Sequence, residues 1–263
     1  MRGRDFVVGD LHGAFTLLRR AMDAVGYDVT CDRLFSVGDL IDRGADSADV
    51  VQVLQIPGFH AIAGNHELML LDAVQIHGID SDVLSPLFLR NGLGWWLDTP
   101  IDARRRIHAA VMELPLAMDV QTPRGTVGLV HADVPAGMSW QAFCAALEAG
   151  DENTVEVATW SRRRVQEGDA SGVTGVGRVF VGHTPQKDVQ RLGNVYYIDT
   201  GAVFGVCGGR QGAGLTMTNL IMSTGMLSNA SPAENLLNTL DQDDLPTTPF
   251  RGVIACSSSK SRG

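Results

Sequence analysis

The 263-residue sequence predicts an α/β fold whose working residues sit on loops at the carboxyl ends of strands. Three observations point there. Short apolar runs alternate with stretches whose apolar residues recur at helical spacing, such as Phe15, Leu18, Met22 and Val25. Six β-like runs each stop at Gly, Asp, His or Asn instead of an ordinary polar turn. Glycine is abundant, at 30 residues, and gathers at the ends of those runs, where tight turns and close backbone approach are needed.

Taken in order, residues 6–8 read as a buried strand ending in GDLHG (9–13), followed by a helix over 15–25. Residues 34–37 form the second strand and run into GDLIDRG (38–44), with a helix near 48–54. The third strand, 59–62, ends in GNHE (64–67) before a helix over 68–74. A Gly/Trp cluster at 91–96 precedes a helix expected over 102–113 and stopped by Pro115. Strand character returns at 126–130, which ends in HAD (131–133), and helices are expected over 139–147 and 154–166. Strands at 178–181 and 195–198 end in GHTP and DTGA, and a last strand near 215–222 closes the core. From 227 onward Ser, Asn, Asp, Thr and Pro dominate. The chain therefore divides into one domain over 1–226 and a polar tail over 227–263, where Ser231, Pro232 and Glu234 give a start signal for one short helix near 232–241.

The formal charge of -9 argues against a nucleic-acid-binding surface, which needs a basic patch. The basic runs 104–106 and 162–164 read as solvated helix faces. Four cysteines without a CxxC pair read as reduced thiols, and no apolar run nears the roughly 18 residues of a membrane span, so a soluble cytoplasmic protein is expected.

The strand ends supply the chemistry. Asp10, His12, Asp39, Asn65, His131 and His183 are carboxylate, imidazole and amide donors, a mixture suited to Mn, Fe or Zn more than to Ca. Six such donors with one shared carboxylate fit two cations, which together activate water and stabilise charge on a phosphoryl group. Each histidine alone has an ordinary structural explanation; three at strand ends beside Gly or Asp make ligation the better one. His66, next to Asn65, is placed to give a proton to a leaving oxygen.

GDLHG, GDLIDRG and GNHE, with RNGLGWW (90–96), MELP (112–115), VHADVP (130–135), TWSRR (159–163), VGHTP (181–185) and YIDTGAVF (197–204), resemble the phosphoprotein phosphatase superfamily of dimetal phosphoesterases. The later pieces are most similar to the bacterial and lambda-phage-type serine/threonine protein phosphatases. The resemblance implies a calcineurin-like αββα sandwich, two mixed β-sheets flanked by helices. It implies that Asp10 and His12 bind one metal, that Asp39 bridges, and that Asn65, His131 and His183 hold the second. It implies His66 as general acid oriented by Asp42, Arg43 and Arg162 as phosphate clamps, Mn²⁺ as the preferred metal, and phosphorylated proteins as substrates attacked directly by metal-held hydroxide. Two departures stand out: HADVP where HADYP is usual, and a Gly-rich insertion at 205–214. The rival within the superfamily is a diadenosine tetraphosphatase, against which Asp133 argues by adding negative charge that would repel a polyphosphate. The rival of another class is a catalytically idle binding protein, against which every filled catalytic position argues.

Overall fold

The computed structural model describes residues 3–206 and 213–221. The expected boundary at 226, the polar tail and its short helix lie outside the described residues.

The chain forms β1 (Asp5–Val8), α1 (Phe15–Ala24), β2 (Arg33–Ser36), α2 (Val50–Leu54), β3 (Phe59–Ala61), α3 (Asn65–His77) and α4 (Pro86–Arg90). A 3₁₀ turn over Leu93–Trp96 leads to α5 (Ile101–Met112). Then come β4 (Ala117–Thr122), β5 (Gly125–Val130), α6 (Trp140–Glu148), α7 (Glu152–Trp160), α8 (Arg163–Glu167), β6 (Arg178–Val181), β7 (Gln190–Leu192), β8 (Val195–Tyr197), α9 (Ala202–Val206) and β9 (Met217–Asn219).

Two mixed sheets result, one in the order β3-β2-β1-β9 and one in the order β4-β5-β6-β8-β7. In the first, β1, β2 and β3 run parallel, with Phe6 opposite Leu34 and Leu34 opposite Phe59, while β9 is antiparallel to β1. In the second, β5, β6 and β8 run parallel between antiparallel edges β4 and β7.

Strand alternation assigns the layers. Phe6, Val8 and Leu34 pack outward on helix residues such as Phe15, Leu18, Leu70 and Ile107. Val179, Val181 and Tyr197 pack outward on Trp140, Phe143 and Leu147 of α6. The residues between them, Val7 and Phe35 on one sheet and Leu129, Phe180 and Tyr196 on the other, meet face to face in a third cluster. This is the expected αββα sandwich. Because six strands are parallel within their sheets, β1, β2, β3, β5, β6 and β8 bring their carboxyl ends to one edge. Among the described residues no helix is long and apolar enough to cross a membrane.

Three expectations change. The edge strands β4 and β7 are added, α3 begins on Asn65 so that Asn65 and His66 lie in its first turn, and the helix expected over 154–166 is two helices broken at Ser161–Arg162. At the break the chain turns extended at Ser161, and the freed carbonyl of Trp160, one of the last-turn carbonyls that lack intrahelical partners, meets His183 Nε2 at 3.1 Å.

Candidate active site

The loops after β1, β2 and β3 are laced together by backbone bonds and one buried carboxylate. Leu11 and His12 donate backbone N–H to the Asp39 carbonyl at 3.0 and 2.8 Å, and Gly13 donates to Leu40 at 2.7 Å. Glu67, fully buried in the first turn of α3, accepts from the backbone of Asp39, Leu40 and Gly64 at 2.9, 2.8 and 2.7 Å. It thus caps its own helix and fixes the Asp39 loop to it. A Cβ on Gly64 would lie 2.2 Å from Asp39 Oδ1, so only glycine lets these loops meet. The lacing holds side chains in a costly backbone: among the described residues, the non-glycine residues with positive φ are His12, Asp39, Asp42, Arg43 and His183.

The second layer of contacts fixes the histidine tautomers. His12 Nδ1–H donates to the Ile41 carbonyl at 3.0 Å and His131 Nδ1–H to that of Val37 at 2.8 Å, leaving both Nε2 lone pairs inward. His183 is reversed: Nε2–H serves Trp160, and Nδ1 faces inward. Asn65 Oδ1 then lies 2.9 Å from both His131 Nε2 and His183 Nδ1. An oxygen and two ring nitrogens at that separation are donor atoms that a shared cation could take up. Asp39 lies between the halves, Oδ2 at 3.5 Å from His12 Nε2 and Oδ1 at 3.3 Å from His131 Nε2. Donor atoms of His12, Asp39 and His66 lie within 4.8 Å of one another, as do those of Asp39, His131 and His183.

The charges fit the same occupant. Burial, then His66 and Arg43, pushes His12 down to about 3, and burial, then His131 and Arg162, pushes His183 down to about 3, against the pull of Asp39 on both. Burial opposes the ionisation of Asp39, but His131, His66 and His12 together hold its carboxyl well below the usual range. Burial, then Asp199 and Asp39, raise Asp10 well above its ordinary value, and burial pushes Asp199 up to about 6. His131 differs from His12 and His183: its burial opposes protonation, but Asp39 raises it overall, and a divalent cation would take over the charge that Asp39 now draws from the imidazole.

Around this core, Asp42 is fully buried and takes His66 Nδ1–H at 2.6 Å on Oδ2. The exposed Arg43 spreads its fork over both rings, with Nη1 to His12 Nε2 and Nη2 to His66 Nε2, each at 2.9 Å. Asp10 follows β1 and accepts the His183 backbone N–H at 3.0 Å. Arg162 is exposed at the start of α8, and its charge helps to lower His183. All ten residues expected from the sequence therefore gather at one edge of the sandwich.

Two expectations fail. The basic runs are not simply solvated: Arg104 and Arg164 are buried, Arg104 donating to the carbonyls of Thr99, Leu97 and Ser81. Nor is Asp133 a bare charge, because Arg164 Nε donates to it at 2.7 Å. Two contributors went unassigned in the sequence. Glu67 stands in GNHE three residues after Gly64, a helix-start pattern that could have flagged it. Trp95 donates Nε1–H to Asp42 Oδ1 at 2.8 Å, across 53 residues of chain, and only its place in the Gly/Trp cluster hinted at a role.

The fold and this site define a dimetal phosphoesterase. The family model for calcineurin-like phosphoesterases matches residues 6–143, and the chain belongs to that family, whose members carry a dimetal centre. Serine/threonine-protein phosphatase 1 of Salmonella typhimurium is 35% identical over 206 residues, covering 76% of this chain and 87% of that protein. Serine/threonine-protein phosphatase 2 of Escherichia coli is 30% identical over 207 residues, covering 75% and 87%. Among solved structures, a candidate diadenosine tetraphosphatase superposes with a TM-score of 0.60 at 22% identity, covering 84% of this chain and 90% of that one, which speaks to the fold alone.

Proposed function

We propose that this chain is a metal-dependent protein phosphatase acting on phosphoserine and phosphothreonine side chains, with phosphotyrosine as a further substrate. The observation that carries the proposal is the His66–Asp42 pair at two donor groups that share Asp39, one of which His66 itself joins. A seryl alkoxide is a poor leaving group and needs a proton, and a carboxylate-oriented imidazole supplies one. Asp10, His12 and Asp39 would hold one cation, and Asp39, Asn65, His131 and His183 the other. Two divalent ions there supply Lewis-acid charge and lower the pKa of water. Mn²⁺ suits the mixed N/O set, with Fe and Zn as alternatives. Arg43 presents a planar fork to phosphate oxygens, and Arg162 adds a second cation from α8. As the acid, His66 would carry a proton on Nε2 besides the Nδ1–H held by Asp42, with Arg43 turned from Nε2 to the phosphate, and would give that Nε2 proton to the leaving oxygen. We assign these roles to a domain ending near 226 in a cytoplasmic protein.

A dinucleotide tetraphosphate is the second reading, because Arg164 compensates the Asp133 charge that would have repelled it. Two exposed arginines match one phosphate better than four linked ones, and the two phosphatase relatives are each covered over most of their length. Side-by-side kcat/KM values on phosphoserine, phosphothreonine and phosphotyrosine peptides and on diadenosine tetraphosphate, in Mn²⁺, test the choice. A tenfold preference for the dinucleotide would reverse it.

A further inference from the structure

We infer that the turn over residues 92–95 positions both the proton donor and the phosphate-facing fork, and that Trp95 is its positioning residue. The inference rests on the reading of His66 as the acid.

Asp42 carries one donor on each carboxylate oxygen, the indole N–H of Trp95 at 2.8 Å on Oδ1 and the imidazole N–H of His66 at 2.6 Å on Oδ2. The carboxylate is fully buried, and these are the two side-chain donors it has among the described residues. With Oδ1 bare, the carboxylate plane is free to rotate, and the imidazole it holds turns with it. Hydrogen bonds to a buried anion are among the stronger ones, and an unmet acceptor is expensive there.

The same turn holds Arg43 through its backbone. Arg43 N–H donates to the Gly92 carbonyl at 3.2 Å. Gly92 has φ of 100°, and a Cβ there would lie 2.6 Å from Arg43 N and 2.8 Å from Arg43 Cγ. Residues 42 and 43 are themselves left-handed, at φ of 74° and 67°, so this contact braces a strained pair of residues.

The turn in turn is fixed to the interior. Trp96 is 1% exposed and stands perpendicular to Trp95, and the Arg104 guanidinium lies 5.7 Å from its ring centre while bonding the carbonyls of Leu97 and Thr99. Thr99 Oγ1 closes the turn on the Trp95 carbonyl at 2.9 Å. The buried arginine of the 104–106 run is thus tied through this turn to the imidazole that delivers the proton.

The test compares full-length wild type, Trp95→Phe, His66→Asn and the double variant, all loaded with Mn²⁺, on a phosphoserine peptide and on p-nitrophenyl phosphate. An aryl oxide leaves with little help from a proton. Trp95→Phe should lower kcat on the peptide about 10- to 100-fold, and on the aryl ester only about threefold, with KM and two metal equivalents per chain retained. In the His66→Asn background it should add almost nothing. A packing role would instead lower both esters alike and add fully to His66→Asn, and either result overturns the inference while leaving His66 as the acid. If His66→Asn itself is indifferent to leaving group, inference and reading fall together. Site-specific replacement of the Trp95 indole N–H by sulfur removes only the donor and should reproduce Trp95→Phe. It should also move the His66 Nδ1–H proton resonance of the metal-free protein; an unmoved resonance counts against the inference.

Discussion

Arg164→Ala isolates the ion pair that ties the loop after β5 to α8. Arg164 and Asp133 side chains are 2% and 6% exposed, and Arg164 also donates to the Val134 carbonyl at 3.1 Å and to Asp169 at 3.3 Å. Burial pushes the Asp133 carboxyl up, and the guanidinium pulls it back. Removing the arginine leaves a buried acid without its cation, a loss of about 3–5 kcal/mol in comparable pairs. For a chain of this size that is a fall of about 6–20 °C in melting temperature. Thermal unfolding of metal-loaded protein at pH 7.5 measures it. Because much of the loss is the penalty of the orphaned carboxylate, Asp133→Asn added to Arg164→Ala should recover more than half of it. A fall below about 2 °C, or a double variant less stable than the single one, would refute the account.

Chelation should abolish activity and added Mn²⁺ restore it, with two equivalents per chain by elemental analysis; full turnover after thorough demetallation would remove the metal role. His60, stacked on Phe35, is lowered by burial and then by Arg33. Its folded pKa lies below the unfolded value of about 6.5, so its contribution is complete above that pH and declines as pH falls through the window beneath it. His60→Gln should therefore flatten the stability profile below about pH 6.5, and an unchanged slope would exclude the histidine as a source of acid lability. Removing residues 228–263 should leave aryl phosphate turnover nearly unchanged, since every proposed site residue precedes them; a folded but inactive truncation would show that the tail reaches the site.

Legibility in the sequence followed chain locality. Asp10 and His12, Asp39 with Asp42 and Arg43, and Asn65 with His66 stand within a few residues of a strand end, so apolar runs and turn residues located them together. β7 escaped because Gln190–Leu192 is a partly exposed hairpin edge without an apolar run. The break at Ser161 escaped because the Trp160 carbonyl it frees is met by His183, 23 residues away, a partner that local propensity does not register. Trp95 and Arg164 escaped for the same reason: each is defined by a carboxylate distant in the chain, and a lone aromatic or basic residue looks alike whether or not it has such a partner. The superfamily resemblance and the αββα sandwich, by contrast, were legible because the motifs recur in order along the chain.

The five left-handed residues bear on how the protein would evolve under heat. His12, Asp39, Asp42, Arg43 and His183 each hold a backbone geometry costing on the order of 1 kcal/mol for a side-chain-bearing residue, and glycine or asparagine relieves it. A laboratory selection for thermotolerance alone would therefore accumulate changes at these very positions. The survivors would be sturdier proteins with an emptied centre, unless each round also demanded turnover.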